Sequence, residues 1–170
     1  MLKGKTVVLG VTGSIAAYKI ANLASMLSKL HADVHVLMTE NATNFINPIT
    51  FETLTGHKCL IDTFDRNFQY SVEHVSLAKK ADVVLVAPAS ANVIGKIANG
   101  IADTSVTMAV KAHLRNQKPV LLAVSTNDGL GTAAKNIGTL LNCKNLYFLP
   151  FSQDDYIKKP NSLVADFEKL

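Results

Sequence analysis

The chain contains short apolar runs, rich in Val and Leu, that recur at wide spacing and mostly lack polar alternation. Strands buried on both faces of a sheet have this pattern, because neither side of the strand meets water. Five such runs predict five strands, at Thr6–Val11, Asp33–Met38, Asp82–Ala87, Pro119–Val124 and Leu146–Leu149.

The segments between these runs have the spacing of amphipathic helices; Ile20, Leu23 and Leu27, for example, fall on one stripe. Helices are predicted at Ile15–Leu30, Thr43–Thr55, Ser90–Asn99, Thr104–Asn116 and Gly131–Asn142. Strands that alternate with helices form parallel sheets through right-handed crossovers. We therefore expect an α/β fold, a doubly wound, mostly parallel sheet of the Rossmann-like or flavodoxin-like kind with helices on both faces. Such sheets bind ligands at the carboxyl ends of their strands.

The chain has 170 residues, without repeats or linkers, which predicts a single domain over residues 1–170. Residues 67–73 are expected to form a loop, and the tail from Phe151 is expected to lie over the surface. No apolar run has the length that a membrane-spanning helix needs, so no membrane partner is expected. The two cysteines are too few for a disulfide framework, and we expect a cytoplasmic, reduced protein.

The net charge of +4 raises the question of nucleic-acid binding. The basic residues are scattered, however, and aromatic residues make up 6% of the chain with no Trp. A basic patch and a platform for stacking bases are therefore both missing, and no nucleic-acid partner is expected. The charge favours an anionic small ligand instead.

A glycine turn follows the first predicted strand, with Gly10, Gly13 and Ser14 leading into a helix. The free amides and the dipole of a helix N-terminus favour an anion such as phosphate. The G-x-G-x-x-G spacing of dinucleotide sites and the Gly-Lys-Ser/Thr of a Walker loop are both absent. One phosphate at one helix start suits a mononucleotide such as FMN; a plain tight turn is the alternative.

Two further strand ends carry polar or small residues. Thr39 follows the second strand, where its hydroxyl suits either the same phosphate or a helix cap, and Glu40 suits a ribose in an NAD site. After the third strand, small residues from Ser90 to Asn92 allow a flat ring to approach the backbone and offer hydrogen bonds to its polar edge. A capped helix start would have the same residues.

His74, on a short helix before the third strand, is the candidate acid–base residue, because histidine exchanges protons near neutral pH. A structural histidine is the alternative. No role is predicted for His31 or His35, and no group of His, Cys, Asp and Glu has metal-ligand spacing, so no metal is predicted.

Taken together, four blocks resemble one family, the homo-oligomeric flavin-containing Cys decarboxylases. The blocks are Leu9–Lys19, Met38–Ala42, His74–Ala78 and Pro88–Asp103. Residues 1–103 look most like phosphopantothenoylcysteine decarboxylase. The resemblance implies FMN as cofactor, a homotrimer or a multiple of trimers with FMN at the subunit interface, and His74 as the catalytic residue. It also implies which residues hold FMN: Gly13, Ser14, Ile15, Thr39, Ser90, Ala91, Asn92, Val93 and Ser125.

The second half departs from that family. Where the decarboxylases carry Pro-Ala-Met-Asn, this chain reads Val124-Ser-Thr-Asn127, so only Asn127, which faces the substrate carboxylate in the family, is kept. The family's flap cysteine has no match, since Cys143 lies in a different context. Residues 103–166 are similar to the B-subunit of dipicolinate synthase, which places a seam between the two likenesses near Asp103.

Three functions follow as expectations. The leading one is a flavin-dependent carboxy-lyase of the phosphopantothenoylcysteine decarboxylase type, acting on a cysteinyl carboxylate in coenzyme A biosynthesis. The alternatives are a flavoprotein that resembles the dipicolinate synthase B-subunit and works with another synthase subunit, and an FMN-binding scaffold without turnover.

Overall fold

The computed structural model describes residues 2–61 and 73–167. Its sheet has parallel neighbours in the order β2-β1-β3-β4, and β5 pairs in parallel with the first half of β4. These strands are β1 (Thr6–Val11), β2 (Asp33–Met38), β3 (Val83–Ala89), β4 (Val120–Thr126) and β5 (Leu146–Phe148). The predicted fold class is confirmed, and the strand order 2-1-3-4-5 is that of flavodoxin-like sheets.

The helices occupy the connections between the strands. They are α1 (Ala17–Lys29), a 3-10 helix (Glu40–Asn44), α2 (Pro48–Thr55), α3 (Glu73–Lys80), α4 (Ala91–Ala98), α5 (Ser105–Arg115) and α6 (Ala134–Leu141). The prediction of one helix over Thr43–Thr55 was wrong, because Asn47 caps a new helix start and Pro48 lacks the amide that a continuous helix would use. Most of the loop predicted at residues 67–73 lies outside the described residues, and Glu73 begins α3.

Both faces of the sheet are covered, as predicted. Val7, Leu9 and Val11 of β1 pack with α1 and α2 on one face, whereas Val8 packs with α3 to α6 on the other. Such burial on both sides explains why the strands read as continuous apolar runs. None of the helices in residues 2–61 and 73–167 combines the length and apolar composition that crossing a bilayer requires.

Part of the tail is built into the sheet, which corrects the sequence prediction there, whereas residues 152–161 are mostly exposed, as predicted. The tail forms β6 (Phe151–Ser152) and β7 (Leu163–Ala165), which pair with each other, and β7 pairs antiparallel with the carboxyl end of β4. Leu163 and Ala165 are buried. Strands of two and three residues are too short to leave a periodic sequence signal, so pairing with β4 decides their structure.

Helix α3 is held at its carboxyl end by two side chains from α5 and the segment that follows it. Nδ1 of the fully buried His113 donates to the Ala78 carbonyl at 2.7 Å. Nζ of Lys118 donates to the carbonyls of Lys79 and Ala81 at 2.6 and 2.8 Å. These three bonds satisfy carbonyls at and just beyond the end of the helix, which the helix itself leaves without partners.

This arrangement predicts that acid destabilises the protein through His113. Burial lowers the pKa of His113 below its ordinary value of 6.5, and the bond to Ala78 offsets only part of that effect. The unfolded chain therefore binds the proton first, so the free energy of unfolding falls as pH drops below about 6.5. Urea denaturation at pH 5 and pH 7.5 measures this. His113→Gln, which keeps a donor but does not titrate, should flatten the dependence, whereas the exposed control His31→Asn should not; an unchanged slope in His113→Gln would refute it.

Candidate functional site

Three strand ends converge on a cavity of about 460 Å³ at the carboxyl edge of the sheet. Loops that follow β1, β2 and β3 all contribute to it. Its lining residues are Gly13, Thr39, Glu40, Asn41, Ser90, Ala91, Asn92, Val93, Lys96 and Thr104. Six of the predicted cofactor residues therefore share one cavity, whose volume lies within the range of roughly 300–1,000 Å³ typical of small-molecule sites.

Beside this cavity, the segment that leads into α1 has backbone amides without hydrogen-bond acceptors. Ala16, the residue that caps α1, makes no side-chain cap, and its amide donates to Ser14 Oγ at 3.3 Å. Within the described chain, the amides of Gly13, Ser14 and Ile15 have no hydrogen-bond acceptor. Such amides at the positive end of a helix dipole suit an anion.

Thr39 and Ser90 both cap helices and line the cavity. Thr39 Oγ1 accepts from the Ala42 amide at 3.2 Å, and Ser90 Oγ accepts from the Val93 amide at 3.3 Å. The capping alternative considered from the sequence therefore holds for each residue. A hydroxyl that accepts one bond still carries its proton, so each can also donate to a ligand.

Thr12, for which the sequence motifs predicted no role, ties the β1 loop to the β3 loop. Its side chain is fully buried; Oγ1 donates to the Pro88 carbonyl and accepts from the Ser90 amide at 3.1 Å. This tie crosses the point between β1 and β3 where the strand order reverses, the usual ligand site of such sheets. In the sequence, the only indication of this role was the position of a Thr between Gly10 and Gly13.

Replacing Thr12 with Val should destabilise the fold and weaken the connection between the loops after β1 and β3 that line the cavity. Val keeps the shape but leaves the Pro88 carbonyl and the Ser90 amide without partners, at a cost of about 1–3 kcal/mol. Thr139→Val removes an exposed hydroxyl bond within α6 and serves as the matched control. Urea denaturation measures both variants, and equal effects at the two positions would contradict the role given to Thr12.

Two further predicted residues lie at the carboxyl end of β4 and in the turn that follows it. Ser125, which is buried, has its Oγ 3.4 Å from Ser14 Oγ, so it lies beside the start of α1. Asn127 is exposed on the following turn, does not line the cavity, and accepts a bond from Ser162 Oγ at 3.4 Å. The tail thus reaches the candidate substrate residue through Ser162.

Ile15 and His74 are the two remaining predicted residues. The side chain of Ile15 is 74% exposed, so only its backbone belongs to the helix start. His74 is the second residue of α3, and its side chain lies outside the described residues.

Several cavity residues were missed from the sequence. Lys96 lines the cavity, and its Nζ pairs with both Asp103 carboxylate oxygens, at 2.9 and 3.0 Å. Thr104 caps α5 through reciprocal bonds with Thr107. Lys96 and Asp103 are seven positions apart on separate segments, a spacing without a sequence signature.

Comparison with known proteins decides the family. The model of the family described as Flavoprotein matches residues 1–154. The chain belongs to the Flavoprotein family. The resemblance stated from the sequence motifs is thereby confirmed, together with the expectation of a flavin-type cofactor.

Curated relatives of two kinds match this chain. The B-subunit of dipicolinate synthase from Bacillus subtilis is 37% identical, covering 99% of this chain and 86% of that protein. The coenzyme A biosynthesis bifunctional protein CoaBC of the same organism is 43% identical over 75% of this chain. This chain spans only 30% of that bifunctional protein.

A probable phosphopantothenoylcysteine decarboxylase of Streptococcus mutans is also 43% identical, covering 72% of this chain and 68% of the relative. Among solved structures, the dipicolinate synthase B-subunit from Bacillus halodurans has a TM-score of 0.82 at 33% identity, covering 99% of this chain and 88% of that chain. An FMN-dependent cysteine decarboxylase, TvaF, has a TM-score of 0.76 at 28% identity, covering 85% and 89%.

Proposed function

We propose that the cavity at the carboxyl ends of β1, β2 and β3 binds FMN. The observation that carries this proposal is the coincidence of amides without acceptors at the start of α1 with a cavity of small residues where the strand order reverses. Membership of the Flavoprotein family and the likeness to an FMN-dependent cysteine decarboxylase support it.

In this proposal the phosphate binds the amides of Gly13, Ser14 and Ile15. The dipole of α1 adds a favourable term, and the Thr39 hydroxyl donates while it still accepts from Ala42. A phosphate is the right group for this position, because an anion uses several convergent donors at once.

The flavin ring is assigned to the small residues between Ser90 and Val93. Ala91 lets a flat ring approach the backbone, and the Asn92 amide can donate to and accept from its polar edge. Ser125 lies instead beside the phosphate position, through its contact with Ser14. When bound, FMN would accept a hydride equivalent. The residues of this chain would orient the flavin and exclude water from it.

Of the finer functions, we infer that the chain is a flavoprotein of the same type as the dipicolinate synthase B-subunit, which works with another synthase subunit. Similarity to that protein extends over 99% of the chain, including the tail that pairs β7 with β4. The tail also engages Asn127 through Ser162, next to the end of β4 where the decarboxylase motif would stand.

Cysteine decarboxylation is the second candidate, favoured by the 43% identity to decarboxylase-type relatives and by His74 in the first turn of α3. In this candidate His74 exchanges the proton and Asn127 holds the substrate carboxylate. The chain keeps only Asn127 of the decarboxylase clamp, so we rank this candidate second.

Two assays on the FMN-loaded protein separate these candidates. With phosphopantothenoylcysteine, we expect no CO₂ release above a control of free FMN. With the complementary subunit of a dipicolinate synthase, we expect dipicolinate formation that neither protein gives alone. Robust conversion to phosphopantetheine would overturn this ranking; His74→Asn should then retain FMN but lose CO₂ release, because an amide cannot exchange a proton near pH 7.

We also propose a homotrimer, or a multiple of it, with FMN at the subunit interface. Ile15 and Tyr18, in the segment that begins α1, are 74% and 61% exposed, which suits burial by a second copy. Light scattering coupled to size exclusion measures the mass. A monomer at micromolar concentration would contradict this assembly.

A further inference from the structure

A second group of chemically active side chains lies at the amino end of β2. Nε2 of His57 is 2.8 Å from one carboxylate oxygen of Asp33, and Nε2 of His35 is 3.1 Å from the other. The two imidazole rings are stacked with centroids 4.0 Å apart. One ligand atom from each of the three residues lies within 4.8 Å of the other two.

The fold, rather than a sequence motif, assembles this group. Asp33 and His35 are two residues apart on a strand, so their side chains lie on the same face. Gly56, with a φ of 74°, ends α2 and turns the chain back towards β2. The chain then runs alongside β2, where Leu60 exchanges backbone bonds with Val36 and Met38.

We propose that Asp33, His35 and His57 bind one divalent transition-metal ion of the Zn²⁺ class. Two imidazole nitrogens and one carboxylate oxygen are preferred ligands of Zn²⁺, and three protein ligands leave a fourth position for water. Each neutral imidazole offers the lone pair of Nε2 while its proton resides on Nδ1.

The distances suit such an ion after small movements. Zn–N bonds of about 2.0–2.1 Å in a tetrahedral site place ligand atoms about 3.3 Å apart. Both Nε2 atoms already lie near that distance from the Asp33 carboxylate. The rings must turn out of their stack to converge on one ion. The side chains of His35 and His57 are 19% and 40% exposed, which leaves them room to do so.

This site is separate from the FMN cavity. Asp33 begins β2, whereas Thr39, which lines the cavity, follows its other end; six residues of strand span about 20 Å. The ion would fasten the segment after α2 to the edge of the sheet and would take no part in flavin chemistry. The proposal therefore does not depend on FMN binding.

The test uses tag-free protein, treated with a chelator and then dialysed, with Cys143→Ser to remove the exposed thiol. Zn²⁺ is titrated at pH 7.5 by calorimetry, and Co²⁺ is titrated by its visible absorption, which reports tetrahedral coordination. We expect one ion per chain with micromolar affinity. His35→Gln and His57→Gln should each weaken binding at least tenfold. His31→Asn, an exposed histidine outside the group that lies at a φ of 64°, should not change it.

Circular dichroism confirms that each variant is folded. Zn²⁺ should raise the melting temperature of the unaltered protein and of His31→Asn, but not of the double variant His35→Gln/His57→Gln. Absence of stoichiometric binding in the unaltered protein would overturn the proposal. Equal affinity in the double variant, or loss of binding in His31→Asn, would overturn it as well.

Discussion

Replacing Gly13 with Asp is expected to remove flavin from the protein. The new carboxylate would occupy the phosphate position, where repulsion between charges about 4 Å apart costs up to about 4 kcal/mol at the edge of a protein. An added Cβ would also lie 2.8 Å from Asn41 Cβ. We expect FMN affinity to fall at least a hundredfold, measured by titrating the apoprotein and following flavin fluorescence.

Three comparisons separate charge from shape at this position. Gly13→Ala adds the Cβ without the charge and should weaken FMN less than Gly13→Asp. Riboflavin, which lacks the phosphate, should lose less affinity than FMN on the Asp substitution. Gly138→Asp places the same residue in α6, where an added Cβ meets nothing within 4 Å, and should leave FMN binding unchanged. FMN retained at normal stoichiometry in Gly13→Asp would show that the phosphate binds elsewhere.

Replacing Gly129 with Ala is expected to destabilise the protein by about 1–3 kcal/mol, because the added methyl group does not fit between β7 and the turn that follows β4. An added Cβ there would lie 2.6–2.7 Å from three side-chain atoms of the buried Leu163. Leu163 pairs with Thr126, next to Ser125, so FMN binding should weaken too. Urea denaturation and FMN titration measure the two effects.

A double-mutant cycle tests whether the contact itself is responsible. Leu163→Ala alone should cost about 2–5 kcal/mol through the cavity it leaves. Gly129→Ala combined with Leu163→Ala should cost less than the sum, since Ala at position 163 removes the overlap with Cγ and Cδ1 and leaves only the contact with Cβ. Gly138→Ala provides the control for the glycine change. Strict additivity would mean that Gly129 acts through its own backbone and not through β7.

The parts of the fold that the sequence predicts are those built from strong local patterns. β1 and β2 begin and end at the predicted residues, because β1 is a nearly continuous apolar run and β2 is apolar apart from Asp33 and His35. β7 could not be predicted, since its three residues gain their structure from pairing with β4 and β6. The helix predicted from Thr43 failed at Pro48, where a local rule on proline was available.

The candidate site shows the same division. The glycine turn and the small residues after β3 can be recognised as site residues from the sequence, because such residues allow a ligand to approach the backbone closely. Thr12, Lys96 and Asp103 act through partners that only the fold brings near. The group of Asp33, His35 and His57 could not be predicted from the sequence for the same reason. His57 lies next to β2 only because the chain turns back at Gly56, after α2.

The central claim is that one FMN binds at the carboxyl ends of β1, β2 and β3. Its most direct measurement is the release of cofactor from tag-free purified protein by heat, with identification by liquid chromatography and mass spectrometry and comparison of its amount with the protein concentration. We predict FMN, close to one per chain, and a large loss in Gly13→Asp but not in Gly138→Asp. Protein that cannot be loaded with FMN, or that carries FAD or a nicotinamide dinucleotide at equal stoichiometry, would contradict the claim.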